Sequence, residues 1–242
     1  MDWFSEWFDS PYYHILYKDR DLKEAELFID NLTTYMNLPE GARIADIPCG
    51  KGRHCIYLNK KGFVVSGADL SPESIYYAKK FSNPTLDFFI HDMRDYFATE
   101  KYNAVLNIFT SFGYFDDPMD NQRCIESFSQ ALKPDGILVL DFINFKKIVP
   151  TFRHKESKDV DGIIFHIEKQ IENNRLVKNI LFSNSGKAFH FQEKVSILYK
   201  EDFLKYFNFA GLKVKDVFGD YQLNPFDPEK SDRLILVAIK EK

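Results

Sequence analysis

Apolar positions along the first 145 residues alternate between helical and extended spacing, and the changes of period mark the elements. Leu22, Ala25, Phe28, Ile29, Leu32 and Met36 recur at helical spacing and predict a helix over Asp21 to Met36, where Asp21 with Glu24 resembles a capping box. A short apolar strand follows at Arg43 to Ile47, then a helix over Gly52 to Lys61 and a strand over Phe63 to Ala68. Ser71-Pro72-Glu73 opens the next helix: the serine can cap, the proline suits the first helical position, and the glutamate suits the positive dipole end. Strands are expected at Leu86 to Ile90 and Tyr102 to Phe109. A helix is expected over Pro118 to Leu132, closed by a turn at Lys133-Pro134-Asp135-Gly136, and a fifth strand over Ile137 to Ile143. The βαβαβ order predicts a parallel sheet with helices on both faces.

The pattern then changes. Extended segments at Gly162 to Ile171 and Leu176 to Phe182, with turn signals at Glu172-Asn173-Asn174 and Ser183-Asn184-Ser185-Gly186, predict antiparallel hairpins between about Lys147 and Ser196. A helix at Glu201 to Ala210 stops at Gly211, and strands at Val214 to Phe218 and Arg233 to Ile239 follow.

A chain of 242 residues with 45% hydrophobic residues can bury a full core. Aromatics reach 16%, which favours a large core and leaves room for an aromatic-lined pocket. The net charge of −4 gives no support for a nucleic-acid partner; the basic residues Lys146, Lys147, Arg153, His154, Lys155 and Lys158 read as a solvated loop. The spacing of Cys49, Cys55 and Cys124 makes neither a zinc site nor a disulfide framework, so reduced thiols in a cytoplasmic protein are expected, with no metal. Met1 to Ser10 lacks the basic start and apolar run of a signal peptide, and no apolar stretch approaches the roughly 20 residues of a membrane span.

The most informative segment is Ala45-Asp46-Ile47-Pro48-Cys49-Gly50-Lys51-Gly52-Arg53-His54, a strand running through a Gly-x-Gly turn into a helix. Glycine lets backbone approach a ligand, and a helix start offers free N–H groups and a positive dipole end. Alone, such a turn is ordinary. Here the second strand ends at Asp69, 23 positions after Asp46, where a carboxylate can grip both hydroxyls of a ribose. A dinucleotide site wants Gly-x-Gly-x-x-Gly, and that register puts Cys55 at the third glycine. S-adenosylmethionine carries no phosphate, and Asp46, Gly50, Gly52 and Asp69 meet its needs better.

Ile44 to His54 and Val65 to Ser71 resemble the first two motifs of class I S-adenosylmethionine-dependent methyltransferases. His91-Asp92-Met93 after the third strand, Asn107 to Phe115 after the fourth, and Leu132 to Gly136 before the fifth agree with the same family. The Tyr-rich segment Tyr12 to Arg20 and the stretches Phe218 to Tyr221 and Ser231 to Ile235 are similar to a bacterial subgroup acting on small molecules. One departure is Pro48, which stands where the family's first glycine would be and cannot take a positive φ.

The resemblance implies a Rossmann-like α/β fold with a mostly parallel seven-stranded sheet, helices on both faces, and an inserted antiparallel β subdomain. Residues 1–36 would form an aromatic lid and helix, 37–146 with 197–242 the cofactor domain, and 147–196 a substrate cap. It also implies roles. Asp46 would orient the glycine loop and the cofactor amino group, Gly50 and Gly52 would pass the methionine part, and Asp69 would hold the ribose. Leu70 and Met93 would pack on the adenine with Asp92 near its amino group, and Asn107 would offer an acceptor near the methionine end. Tyr12, Tyr17 and Arg20 would close over the site. Methyl transfer is an in-line displacement, so orientation is the protein's main task. Tyr114 is the candidate catalytic residue because its loop should face the sulfonium, with Ser111, Phe115, His166, His190, Glu193, Tyr221 and Arg233 as further acceptor-side candidates. A small-molecule acceptor is expected. A non-catalytic cofactor-binding module and, less favoured, an NAD-dependent oxidoreductase stand as alternatives.

Overall fold

The computed structural model describes residues 3–18, 22–152 and 154–241. Two short helices, α1 (Trp3–Phe8) and α2 (Pro11–Leu16), precede α3 (Leu22–Met36). Alternation follows as β1 (Arg43–Asp46), α4 (Arg53–Lys60), β2 (Val64–Asp69), α5 (Pro72–Ala78), β3 (Leu86–Ile90), β4 (Tyr102–Asn107), α6 (Pro118–Ala131) and β5 (Leu132–Ile143). After α7 (Phe145–Ile148) come β6 (Lys155–Val160), β7 (Ile163–Glu172), β8 (Arg175–Asn184) and β9 (Lys187–Ser196). Then α8 (Lys200–Phe209), β10 (Leu212–Phe218) and β11 (Arg233–Lys240) complete the order.

Seven strands form one sheet in the order β10-β11-β5-β4-β1-β2-β3, in which only β11 runs antiparallel to its neighbours. The strand order reverses between β1 and β4, the place where open α/β sheets leave a crevice outside the carboxyl ends of the strands. Apolar side chains cover both faces. One cluster joins Phe112, Phe128, Phe142 and Phe203, and the other joins Phe28, Leu58, Phe88 and Ile235. The remaining strands make a four-stranded antiparallel sheet, β6-β7-β8-β9.

The hairpin turns explain that second sheet. Asp161-Gly162, Asn173-Asn174 and Ser185-Gly186 each place two successive residues at positive φ, the backbone of the two-residue turn whose twist matches paired strands. Asn, Asp and Gly tolerate that conformation best. A third apolar cluster contains Trp7 and Leu16 of α1 and α2 together with Ile163, Phe165, Ile180 and Phe182 of this sheet. Burying such side chains stabilises by about 1.5–3 kcal/mol each. The exposed Lys18–Asp161 pair contributes about 1 kcal/mol at most, a minor part of what holds the N-terminal helices to the insert.

Three expectations change. The Lys133 to Gly136 stretch is not a free turn. β5 already starts at Leu132 and carries these residues as a bulge opposite β4, with Asp135 at φ 63°. The fourth strand stops at Asn107, because Phe109 and Thr110 take φ of 61° and 55° and turn the chain toward the crevice. The basic residues read as a solvated loop instead fall partly in α7 and β6. Asp21 and Arg153 lie outside the described residues.

Candidate functional site

A cavity of about 680 Å³ opens at the carboxyl ends of β1, β2 and β4. Its size falls within the range that encloses a cofactor with a small second ligand. The glycine turn forms its floor. Gly52 sits left-handed at φ 81° as the residue capping α4, with no side chain to satisfy the first N–H groups of that helix. A Cβ there would come within 2.6 Å of Phe88, so the turn and β3 pack as closely as glycine alone permits. Gly50 is also left-handed, at φ 54°, and nothing stands within 4 Å of where its Cβ would be. The Ile47–Pro48 bond is cis.

Asp69 fixes the turn from the neighbouring strand. The Gly50 N–H donates to Asp69 Oδ2 at 2.7 Å and the Ser71 N–H donates to Oδ1 at 2.9 Å. Burial raises its pKa above the ordinary carboxylate value; the two N–H donors oppose the rise, and the charges of Asp46 and Asp9 add to it. Each oxygen keeps a lone pair for a ligand hydroxyl. Ser71 itself caps α5 by accepting from the Ser74 N–H.

Leu70, Asp92 and Met93 line the same cavity beyond Asp69. Arg94 grips the Asp92 carboxylate through Nε at 3.0 Å and Nη2 at 2.6 Å. Burial pushes the Asp92 pKa up, but the Arg94 hydrogen bonds and charge outweigh that and hold it low. The Arg94 guanidinium also lies 4.9 Å from the centre of the Phe115 ring.

Four expected site residues stand back from the cavity: Gly52, packed against Phe88, and Asp46, Asn107 and Tyr12. Asp46 is fully buried beneath the turn, with Oδ2 3.4 Å from Cys55 Sγ and 3.7 Å from His54 Nδ1. Asn107 is fully buried, and its Nδ2 donates to the Ile47 carbonyl at 2.8 Å, so it braces the loop. Tyr12 is a clear correction. Its ring packs 4.6 Å from Phe182 and 4.7 Å from Phe189, inside the insert's apolar layer, because α2 turns that side of the helix toward the insert. Tyr17 does line the cavity, and Arg20 lies outside the described residues.

The opposite wall is aromatic. Phe4, Phe8, Tyr13 and Tyr17 descend from α1 and α2 to meet Tyr114 and Phe115. Phe4 meets Phe115 edge-on at 5.7 Å and Phe8 meets Tyr114 at 5.1 Å. The Tyr114 hydroxyl donates to the Thr110 carbonyl at 2.5 Å. Two left-handed residues in succession cost about 1–2 kcal/mol each. Buried Asp141 offsets that cost, since the Phe109 N–H donates to its Oδ2 at 2.8 Å and Arg233 Nε donates to its Oδ1 at 2.7 Å. Arg233 Nη2 also donates to Thr110 Oγ1 at 2.9 Å. Arg233 and Tyr221 thus support the loop from behind and do not line the cavity. Among the described residues the insert, 147–196, contributes none of the lining, so His166, His190 and Glu193 do not reach it. Arg94 and Asp141 gave no sequence signal, since their partners are set by the fold.

No cluster of three or more metal-ligating side chains and no helix long and apolar enough to cross a membrane occurs among the described residues. The residues fit S-adenosylmethionine: a ribose-height carboxylate, an uncapped helix start beside left-handed glycines, and an apolar slot between Leu70 and Met93. They do not fit a dinucleotide, because the third-glycine position holds Cys55, fully buried under the turn.

Comparison with known proteins agrees with this geometry. A family model described as a methyltransferase domain matches residues 44–136. YqeM of Bacillus subtilis (strain 168), named as a candidate methyltransferase, is 30% identical over 219 residues, covering 85% of this chain and 87% of its own. A dTDP-3-amino-3,4,6-trideoxy-alpha-D-glucopyranose N,N-dimethyltransferase of Streptomyces venezuelae is 27% identical over 192 residues, covering 75% of this chain and 79% of its own. The crystal structure of an S-adenosylmethionine-dependent methyltransferase from Clostridium acetobutylicum ATCC 824 superposes with a TM-score of 0.80 at 22% identity, covering 96% of each chain.

Proposed function

The chain belongs to the class I S-adenosylmethionine-dependent methyltransferases, and from that premise we propose that its small-molecule acceptor is an amine, methylated on nitrogen. The observation that carries this is the aromatic wall facing the glycine turn. When bound, the cofactor supplies a methyl group on a cationic sulfur. An amine in its neutral form would need no residue to take a proton before transfer, and the positive charge would pass from sulfur to nitrogen. The protein then has a cation to hold before and after transfer, and no anion to stabilise. The aromatic lining of Phe8, Tyr13 and Tyr114 suits a cation, Arg94 already lying over the rings of Phe4 and Phe115.

The lining hydroxyls support the same reading. Tyr114 already donates to Thr110 and Tyr17 to Glu193, so neither is set up to pull a proton from an alcohol or phenol. We place Tyr114 beside the reacting methyl as an orienting residue and Asp69 on the ribose. Asp92, held ionised by Arg94, suits the amino group of the adenine. The Streptomyces venezuelae relative is named for N,N-dimethylation of an amino sugar, which is amine chemistry of this kind. The negative net charge fits a small acceptor better than nucleic acid, and three buried free thiols fit the cytoplasm.

The test is formation of S-adenosylhomocysteine with a panel of primary and secondary amines, carboxylates and phenols. Turnover confined to amines, with the product mass placed on nitrogen, is expected. Turnover confined to phenols or carboxylates would sink the amine reading.

A further inference from the structure

Glu193 lies in the insert, away from the cavity, yet three donors converge on its carboxylate. Trp7 Nε1 donates to Oε1 at 2.8 Å, the Tyr17 hydroxyl donates to Oε1 at 2.7 Å, and Lys178 Nζ donates to Oε2 at 3.2 Å. Lys178 Nζ also donates to the Tyr17 hydroxyl and rests 4.7 Å from the centre of that ring. Trp7 and Tyr17 belong to the N-terminal segment whose other side chains form the cavity wall. A second arm runs from the insert to the loop after β4. Arg175 Nη1 donates to Asp116 Oδ1 at 2.5 Å, and Nη2 donates to the Phe115 carbonyl. The Ser196 N–H donates to the Gly113 carbonyl at 2.8 Å. One sheet therefore contacts both parts of the wall. Their outer edge touches the cofactor half through Asp9, whose Oδ1 accepts from the Ser71 hydroxyl at 2.5 Å and from the Glu73 N–H at 3.1 Å.

We infer that the β insert is a strut, in which Glu193 and Arg175 are positioning residues that set how tightly the aromatic wall closes over the cofactor, without touching either ligand. Hydrogen bonds to a charged group are worth about 1.5–3 kcal/mol. Losing them from the closed arrangement alone should raise the open population about tenfold or more. The wall covers the glycine turn and the acceptor space together, so a looser wall lets the product cofactor leave sooner. This does not depend on the acceptor being an amine, because the probe is S-adenosylhomocysteine alone.

Trp7 of α1 is buried with its indole nitrogen on Glu193, so its fluorescence reports on this anchor. The measurement is stopped-flow release of S-adenosylhomocysteine, with emission spectra and thermal midpoints of the ligand-free proteins. The main variant is Lys178→Met with Glu193→Leu, which removes the anchor as a pair and leaves no lone buried charge, a replacement that is often neutral for folding. Expected are red-shifted emission and release about tenfold faster, because Trp7 Nε1 and the Tyr17 hydroxyl lose their acceptor. Arg175→Leu should speed release with no red shift. If the double variant lowers the midpoint, Glu193→Gln decides. It keeps an acceptor for Trp7 and Tyr17, and its release should fall between wild type and the double variant. Red-shifted emission with wild-type release, or wild-type release in both Glu193→Gln and Arg175→Leu, would overturn the strut.

Discussion

The floor of the cavity and its wall are built by opposite means. The floor is local: Gly50, Gly52 and Asp69 lie within 20 residues, and backbone N–H groups supply their hydrogen bonds. The wall is remote: Glu193 meets Tyr17 across 176 positions and Trp7 across 186. The floor's geometry is tightly specified at Gly52, where a Cβ would come within 2.6 Å of Phe88. The wall's geometry depends on side chains that several other residues could imitate. The floor is thus fixed by backbone and the wall by side chains from distant parts of the chain, and each half should fail in its own way.

The largest effect should come from the floor. Asp69→Ala removes the acceptor of the Gly50 and Ser71 N–H groups and, with it, the proposed hold on the ribose. We expect S-adenosylhomocysteine binding to weaken at least ~100-fold by calorimetry, on the value of hydrogen bonds to charge. Binding within threefold of wild type would show that Asp69 serves the fold alone. Next is Gly52→Ala, which combines a left-handed alanine with a 2.6 Å approach to Phe88. It should cost roughly 2–4 kcal/mol in chemical denaturation. A cost below 0.5 kcal/mol would mean that the turn can rebuild, and that the floor is no more fixed than the wall.

Those same positions explain how much was legible beforehand. Alternation of period predicts the parallel sheet, and the Asp46-to-Asp69 spacing predicts a carboxylate at the end of β2 beside the glycine turn, because both are short-range consequences of a strand-turn-helix unit. Tyr12 went wrong for a related reason. Its helix has aromatics on both sides, and only the packing of Phe182 and Phe189 decides which side meets the insert. Asp46 and Asn107 sit one layer below the cavity, a depth that sequence spacing does not encode. The insert was legible as hairpins from its turn residues. That it backs the wall and lines nothing is a property of the assembled fold.

Acid should separate the two halves. Asp69 has a raised pKa, with burial as its largest cause, so in the empty protein its ionised form is the strained one. Protonation as pH falls through that raised value relieves strain, while ligand affinity falls because the ribose prefers an ionised acceptor. Glu193 runs the other way. Burial alone would raise its pKa, but Lys178, Tyr17 and Trp7 hold it below the ordinary value. Its contribution is complete above the unfolded carboxylate range and is lost as pH falls through the lowered value. Titrating downward, S-adenosylhomocysteine affinity should decline first, and the red shift of tryptophan emission should follow at lower pH. The reverse order would mean that the wall loosens before the floor protonates.

The smallest effect tests whether the insert acts through its two arms or merely through its stability. Ser185 sits at φ 50° before Gly186, at the end of β8 opposite Arg175. Asparagine is the better residue at that point of a two-residue hairpin turn, so Ser185→Asn should stabilise by about 0.5 kcal/mol and raise the thermal midpoint by about 1–2 °C. The arms at Arg175 and Glu193 are unchanged, so release of S-adenosylhomocysteine should keep its wild-type rate. If release slows in step with the added stability, general stiffness of the sheet governs the wall, and the individual contacts at Glu193 and Arg175 lose their special place.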